Sequence, residues 1–317
     1  MKILIETPSW LGDSVMLTPT LQNLKIIFPN STLILVGSKV GIEILKDFGD
    51  EYFILERKNR FSNLRKLVKE IGKIDISLSF RTSFFSGLLQ FLSKAEIRVA
   101  RSSVANSFFL TNKISVSQNS HQVEKYLEIL NFQNSDEVQK FDLKLNFKPK
   151  KFEKPTLGIN AGATYGSAKR WYPEKFAEVI NNLSYKFEII LFGGKNEVEI
   201  NSDIEKMCQT KVLNLAGKTS IQDLAENIGG LSLFITNDSG PMHIAGAYKI
   251  PTIAIFGSTN HTETDQWKNP NQIIVRKNIS CSPCMKRECP LKHHECMKNI
   301  EVSDILEAIS NLEHKIL

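Results

Sequence analysis

Short apolar runs alternate with amphipathic stretches along the chain, and the alternation occurs twice. In the first half the apolar runs lie at residues 3–5, 33–36, 52–55, 74–80 and 97–100. In the second half they lie at residues 157–159, 188–192, 212–215, 233–236, 252–256 and 273–275. Helical spacing separates the runs, for example at residues 15–28 and 61–71. The pattern predicts an α/β fold with two parallel, doubly wound, Rossmann-like sheets.

A lysine- and proline-bearing stretch at residues 147–155 separates the two halves and is typical of a linker. It predicts an N-terminal domain at residues 1–150 and a C-terminal domain at residues 151–317, with a cleft between them. The length of 317 residues and the hydrophobic content of 42% suffice for two ordinary cores. The last amphipathic stretch, residues 302–312, predicts a helix.

Composition and charge narrow the class of protein. Residues 2–5 run directly into a loop and lack the order of a signal peptide. No apolar run approaches the roughly 20 residues of a membrane span, so we expect a cytoplasmic protein. The net charge of +6, from 40 basic and 34 acidic residues, is too small to indicate a nucleic-acid partner.

Residues 236–243 form the most informative turn, because they follow an apolar run and lead into a helical pattern. The helix is predicted to open at Ser239 to Pro241, where proline is tolerated in the first turn. Its backbone N–H groups and the positive end of its dipole would then face a phosphate. The alternative is that Asp238 or Ser239 only caps the helix.

A second loop of this kind spans residues 160–173, after the strand-like residues 156–159. Its small residues let the backbone approach a ligand, while Lys169 and Arg170 supply charges suited to a diphosphate. Both loops follow strands, and ligands of open parallel sheets bind at the carboxyl ends of strands. Together the loops predict one anion site.

Asp13 ends the loop after the first strand, just before the helical pattern that starts near residue 15. It is predicted to lie at the carboxyl edge of the first sheet and to face the cleft. A carboxylate there could take the proton of an acceptor hydroxyl. By position alone, an N-cap role is the alternative.

Three segments together resemble the ADP-heptose:lipopolysaccharide heptosyltransferases of glycosyltransferase family 9, and among these the type II branch. The segments are residues 8–14, residues 162–173 with their Ala-Lys-Arg-Trp core, and residues 236–243 followed by Ala245. The resemblance implies a GT-B fold and an inverting, metal-independent transfer. The implied substrates are ADP-L-glycero-D-manno-heptose and the first heptose of the lipopolysaccharide or lipooligosaccharide inner core. Asp13 is the implied catalytic base.

The resemblance also assigns a donor site, residue by residue. The donor diphosphate and adjoining sugar are assigned to Asp238, Ser239, Gly240 and His243, and the other phosphate loop to Thr164, Tyr165 and Lys169. The chain departs from the family at Tyr165, where relatives have threonine, and in residues 193–197, where an acidic position is replaced. These departures leave the contacts to adenosine unassigned. For His243, a purely structural role is the alternative. In GT-B proteins a C-terminal helix often crosses back to the first domain.

Basic residues cluster in the first half, where Arg65 and Lys66 accompany those that we assign to the acceptor. The assigned set is Arg57, Lys58, Arg60, Arg81, Arg98 and Arg101. The implied acceptor is a phosphorylated inner-core oligosaccharide on lipid A. We therefore expect a protein held peripherally on the anionic cytoplasmic face of the inner membrane. The alternative is a solvated helix face.

Four of the five cysteines lie close together with two histidines near the end of the chain. They are Cys281, Cys284, Cys289 and Cys296. Three states stay open for them: a structural zinc site, reduced thiols that pack a long loop, and disulfides. None of these makes a metal catalytic, and the resemblance implies no required cofactor.

Three alternatives to type II transfer remain from the sequence. One is type I or type III transfer to a different inner-core acceptor. A second is a nucleotide-binding oxidoreductase, but residues 6–14 hold one glycine and no Gly-x-Gly-x-x-Gly fingerprint. The third is a zinc-bearing nucleic-acid module, which lacks aromatic residues interleaved with its basic ones.

Overall fold

The computed structural model describes residues 1–56, 58–133 and 138–312. The chain divides into two units, Met1–Asn146 and Phe147–Leu317. The stretch expected to be a linker packs on the second unit at two points. The Tyr248 hydroxyl donates to the carbonyl of Phe147 at 2.9 Å, and the Lys150 N–H donates to the carbonyl of Glu226 at 2.8 Å.

The first unit is a six-stranded parallel sheet with the order β3-β2-β1-β4-β5-β6. Its strands are β1 (Lys2–Glu6), β2 (Thr32–Gly37), β3 (Glu51–Ile54), β4 (Ile76–Ser79), β5 (Ile97–Arg101) and β6 (Asn112–Ile114). Its helices are α1 (Leu11–Met16), α2 (Thr18–Ile27), α3 (Lys39–Leu45), α4 (Arg60–Ile71), α5 (Phe84–Leu92) and α6 (Gln122–Leu127).

The second unit repeats the design with the order β12-β11-β10-β7-β8-β9. Its strands are β7 (Thr156–Asn160), β8 (Glu188–Phe192), β9 (Val212–Asn214), β10 (Leu233–Asn237), β11 (Thr252–Ile255) and β12 (Gln272–Val275). Its helices are α7 (Pro173–Leu183), α8 (Val198–Met207), α9 (Ile221–Gly229), α10 (Gly240–Ala247), α11 (His261–Thr264), α12 (Glu295–Lys298) and α13 (Val302–Ser310).

Burial explains why the central strands read as unbroken apolar runs. Strands β1, β7 and β10 are covered on both faces, so neither face needs polar residues. In the first unit Leu4 and Ile34 pack against Leu64 of α4. In the second, Ile159 and Ile235 belong to a core that includes α7 and α13. Helix α13 therefore packs within the second unit.

The strand order fixes where a ligand can bind. In each sheet the order reverses between two neighbouring strands, β1 and β4 in the first and β7 and β10 in the second. Connections leave these paired strands in opposite directions, and a crevice forms beyond their carboxyl ends. The loop before Asp13 follows β1, and the two small-residue loops follow β7 and β10. No helix in the described ranges is long and apolar enough to span a bilayer.

Candidate functional site

Two asparagines tie the small-residue loops of the second unit together. Asn160, the last residue of β7, donates from Nδ2 to the Ser239 hydroxyl at 3.0 Å. Asn237, the last residue of β10, donates from Nδ2 to the carbonyl of Ala161 at 2.7 Å and accepts from the Trp171 N–H at 3.1 Å. Both asparagines are buried. The loops after two neighbouring strands are thus held as one unit.

A buried ion pair lies between these loops. Lys169 Nζ is 2.5 Å from Asp238 Oδ2, and their side chains are only 13% and 4% exposed. The Thr259 hydroxyl donates to the same carboxylate oxygen at 2.5 Å. The carboxylate is therefore compensated by one charge and one hydroxyl, and it fixes the lysine at the edge of the sheet.

Tyr165 connects this pair to a later part of the chain. Lys169 Nζ lies 4.7 Å from the centre of its ring, and the Arg287 guanidinium lies 5.4 Å from it. The Tyr165 hydroxyl donates to the carbonyl of Met285 at 3.0 Å. Gly166 follows, and a Cβ there would lie 2.1 Å from the Arg287 carbonyl oxygen, so only glycine fits. Two cations and a fixed aromatic ring thus meet at this loop, while Thr164 beside them is exposed.

Helix α10 begins as the sequence predicts, with Gly240 and Pro241 as its first two residues. Ser239 is the N-cap residue by position, but its side chain makes no capping hydrogen bond and instead accepts from Asn160. The interpretation of Ser239 as a simple cap is therefore wrong. His243 is buried on the first turn of the helix. The N-terminus of α10 opens at the same edge as Lys169 and Asp238.

A carboxylate also lies against the loop of residues 160–173. Glu197 is buried, and its Oε2 accepts from the Gly194 N–H at 2.7 Å. A Cβ on Gly162 would lie 2.0 Å from the Glu197 carboxyl carbon, so a glycine is needed for this close approach. The departure from the family at residues 193–197 therefore still brings an acidic group to the loop edge.

In the first unit Asp13 lies inside helix α1 rather than at its cap. The helix begins at Leu11 with Trp10 as N-cap, which places the half-buried Asp13 in the first turn. The Tyr126 hydroxyl donates to Asp13 Oδ1 at 3.0 Å. Burial, the Asp13 charge and this hydrogen bond hold the pKa of Tyr126 well above its usual value. The phenol therefore stays protonated and orients the carboxylate.

A second carboxylate, Glu6, is fully buried at the end of β1. Its two oxygens accept from the Ser79 hydroxyl at 2.6 Å and from the Ser86 hydroxyl at 3.1 Å. Arg81 lies 3.5 Å away. Burial raises the pKa of Glu6, although the Arg81 charge and the two serines oppose this shift. Glu6 holds β1, β4 and α5 together behind the carboxyl edge.

The basic residues assigned to the acceptor differ in their exposure and in the contacts that they make within the protein. Arg57 lies outside the described residues. Lys58 and Arg101 are exposed, and Arg81 pairs with Glu6. Arg98 donates to the carbonyls of Phe109 at 2.8 Å and Ala95 at 2.7 Å, which gives its guanidinium a structural role.

Arg60 lies 4.6 Å from the centre of the Phe85 ring, and its charge reaches the buried carboxylate of Glu6. Its Nε is buried and has no hydrogen-bond partner among the described residues. Arg60 is therefore held near the end of β1 by the Phe85 ring and the Glu6 charge.

The four clustered cysteines line one small cavity of about 20 Å³ together with His293, His294 and Ala168. This volume holds about one water molecule. All five cysteines are free thiols, and burial, aided by the neighbouring thiols, raises the pKa of Cys296 to about 11. Within residues 1–56, 58–133 and 138–312, no three His, Cys, Asp or Glu side chains converge as a ligand set.

The cysteine-bearing loop packs against the loop of residues 160–173. The Ala168 N–H donates to the Arg287 carbonyl at 3.0 Å. His294 Nε2 lies 3.2 Å from the Ala168 carbonyl, which can only accept, so Nε2 carries the proton. Nδ1 then accepts from the Tyr172 hydroxyl at 3.2 Å. Both ring nitrogens of His294 are thus used in holding the two loops together.

Several residues that build the candidate sites of the two units were not singled out from the sequence. They are Glu6 and Tyr126 in the first unit, and Asn160, Asn237, Thr259 and Arg287 in the second. Glu6, Asn160 and Asn237 end buried strands, and a polar residue at that point is a usable signal. The other three come from distant segments and carry no local signal.

Comparison with known proteins shows the family to which the chain belongs and the fold that it shares. The family described as glycosyltransferase family 9 (heptosyltransferase) matches residues 64–295. Lipooligosaccharide heptosyltransferase 2 of Campylobacter jejuni is 43% identical over 98% of this chain and 99% of its own length.

Two solved structures have the same fold over almost the full chain. A glycosyl transferase family 9 protein from Veillonella parvula has a TM-score of 0.86 at 21% identity, covering 98% of this chain and 96% of that one. E. coli ADP-heptose LPS heptosyltransferase II has a TM-score of 0.83 at 21% identity and covers 98% of each chain. At these identities the likeness is one of fold.

Proposed function

Because the chain belongs to glycosyltransferase family 9, we propose that it is an inverting heptosyltransferase of type II. The donor is ADP-L-glycero-D-manno-heptose, and the acceptor is the first heptose of the lipopolysaccharide or lipooligosaccharide inner core. The GT-B fold class expected from the sequence is confirmed. Family membership favours glycosyl transfer over the oxidoreductase and nucleic-acid alternatives.

The joined loops of the second unit are the observation that carries the proposal. Lys169 supplies a charge at the edge of the sheet, and the N-terminus of α10 supplies backbone donors and about half a positive charge. These groups are fixed by Asn160, Asn237 and Asp238 before any ligand arrives. A leaving diphosphate develops negative charge, and donors already held in place stabilise it without reorganisation.

The acceptor chemistry belongs to the first unit. As the acceptor oxygen bonds to the anomeric carbon, the bond from that carbon to ADP breaks, and attack from the opposite face inverts the configuration. Asp13 accepts the hydroxyl proton during this step. Tyr126 holds the carboxylate through one oxygen. Among the described residues assigned to the acceptor, Lys58, Arg60 and Arg101 carry the charges that meet phosphates of the acceptor and the anionic inner-membrane surface.

Transfer to defined acceptors tests the proposal. The purified protein is incubated with ADP-heptose and with truncated acceptors that carry no heptose, one heptose or two. We expect the mass of one added heptose only on the one-heptose acceptor. Extension of the acceptor without heptose would indicate type I transfer, and extension of the two-heptose acceptor type III. No product with any acceptor would refute the proposal.

We further propose that transfer needs no divalent metal. Asp238 is the only carboxylate in residues 236–243, and its Oδ2 already accepts from Thr259 and pairs with Lys169. Magnesium bound through protein groups usually needs one or two free carboxylates. Lys169, His243 and the α10 N-terminus therefore take over charge neutralisation. We expect the same turnover in excess EDTA and in added magnesium.

Two results of this assay would change the assignment. Complete loss in EDTA that magnesium restores would refute the metal-free mechanism. Loss that only zinc restores would point to Cys281, Cys284, Cys289 and Cys296 as a structural zinc site. Zinc analysis of protein purified without chelator, with Cys208→Ser as the matched control for the clustered cysteines, separates this case.

Tyr126→Phe is expected to lower kcat about 3- to 10-fold, the usual worth of one hydrogen bond, with the KM for ADP-heptose unchanged. The phenol donates to Asp13 and holds the carboxylate in position. The measurement is kcat and KM in the transfer assay, with denaturant unfolding measured beside them. A fall in stability with kcat unchanged would show that the Tyr126 hydroxyl has only a structural role.

A further inference from the structure

Six phenylalanines form a continuous ladder across the first unit, from α4 over α5 to the short helical turn Ser107–Phe109. The ladder comprises Phe61, Phe84, Phe85, Phe91, Phe108 and Phe109. Ring centres are 5.1 Å apart for Phe61 and Phe85, and 5.4 Å apart for Phe84 and Phe109. The remaining neighbouring rings are 5.8 to 5.9 Å apart. One aromatic surface therefore joins three segments.

Much of the ladder is open to solvent. Phe108 is 90% exposed, Phe61 58%, Phe91 52% and Phe84 46%, and Val104 in the adjoining loop is fully exposed. Single exposed apolar residues are common on proteins and need no explanation. A contiguous aromatic surface loses hydrophobic stabilisation unless something covers it, and it marks an interaction site.

The charges near the ladder indicate which kind of partner can cover it. Between residues 76 and 123 the only acidic residue is Glu96. The same stretch contains five basic residues, of which Lys94, Arg101 and Lys113 are exposed, whereas Arg81 pairs with Glu6 and Arg98 binds backbone carbonyls. Arg60 lies against the Phe85 ring at 4.6 Å. Arg65, which is exposed, follows Phe61 by one turn on the same face of α4.

We propose that the ladder inserts into the interface of an anionic phospholipid bilayer. Aromatic rings settle at the level of the headgroups, and basic residues beside them meet the anionic phosphates. A surface with both features and hardly any acidic residues fits this occupant by charge as well as by hydrophobicity. The inference rests on the proposed function in one respect, because a lipid-linked acceptor is presented at such a surface.

Vesicle binding by the full chain tests the ladder. The protein is sedimented with vesicles of phosphatidylethanolamine and phosphatidylglycerol, and separately with vesicles of phosphatidylcholine alone. The test variant combines Phe91→Ser, Val104→Ser and Phe108→Ser, and the matched control is Tyr185→Ser, an 85% exposed aromatic residue of the second unit. We expect wild type and control to bind the anionic vesicles, and the triple variant to bind at least about tenfold less.

A tryptophan probe distinguishes insertion from loose attachment. In Phe108→Trp the new indole should shift to shorter wavelength on anionic vesicles and be quenched by lipids brominated on the acyl chain, relative to the three native tryptophans in wild type. No quenching beyond wild type would overturn insertion. Equal binding of the triple variant and wild type would overturn the assignment of the surface.

The oligomeric state and transfer to a soluble acceptor test the proposal further. If the wild type is a dimer in sedimentation velocity and the triple variant a monomer, the ladder is a contact between copies and the proposal fails. Transfer to a water-soluble, deacylated acceptor separates this inference from the proposed function. The triple variant should match wild type there, whereas a wild type that binds vesicles but transfers nothing would refute only the function.

Discussion

Replacement of Asp13 by asparagine is expected to lower turnover by about two orders of magnitude or more, while ADP-heptose binding stays near normal. A positioned general base is usually worth this much, and a hundredfold loss corresponds to about 2.7 kcal/mol in the transition state. Asparagine keeps the size of the side chain and can still accept from the Tyr126 hydroxyl. The substitution therefore removes the proton acceptor and leaves the local packing in place.

The measurement is kcat in the transfer assay, with donor binding followed by calorimetry. Asp50→Asn is the matched control in the same unit, because Asp50 accepts a backbone hydrogen bond from Leu33 at 2.7 Å and an amide oxygen can do the same. Turnover of Asp13→Asn within a few-fold of wild type would reduce Asp13 to a structural residue of the first helical turn.

Replacement of Lys169 by alanine is expected to have two separate effects. ADP and ADP-heptose should both bind more weakly by about 1.5 to 3 kcal/mol, the value of a charge-assisted contact. The free energy of unfolding should fall by about 3 to 5 kcal/mol, because Asp238 would stay buried without its cation. Calorimetry with ADP measures the first effect and denaturant unfolding the second.

A double variant separates these effects. Lys169→Ala combined with Asp238→Asn removes both charges, so stability should largely recover while ADP affinity stays low. Lys154→Ala is the matched control, since Lys154 pairs with Glu188 at 3.5 Å at the amino ends of β7 and β8, the opposite edge of the same sheet. Unchanged ADP affinity in Lys169→Ala would move the donor site elsewhere.

Much of the fold could be predicted from the sequence, because strands that are buried on both faces are unbroken apolar runs. Each of the eleven apolar runs contains or overlaps a strand. The strand that was missed, β6, consists of Asn112, Lys113 and Ile114 and lies at the sheet edge, where two polar residues are tolerated. Helix α1 begins at Leu11, earlier than expected, because Gly12 and Asp13 weakened the helical pattern.

The candidate site was predictable only in part. Loops that follow strands can be recognised from local sequence, and Lys169 and Asp238 were found that way. The contact between Asn160 and Ser239 spans 79 residues, and that between Tyr126 and Asp13 spans 113. Such partners are chosen by strand order and packing rather than by neighbouring residues. The pairing of Lys169 with Asp238 likewise depends on β7 and β10 being adjacent.

The support of residues 160–173 by later parts of the chain has a consequence for synthesis of the protein. Tyr165 contacts Met285, which the ribosome adds 120 residues later, and Trp171 donates from Nε1 to the carbonyl of Ile300. At about 5 to 20 residues per second, that delay is on the order of 10 s. The first sheet is complete long before residues 160–173 receive this support. A chain terminated before residue 285 would therefore carry Asp13 beside a finished first sheet and still lack the contacts that fix residues 160–173, the loop that we propose binds the donor.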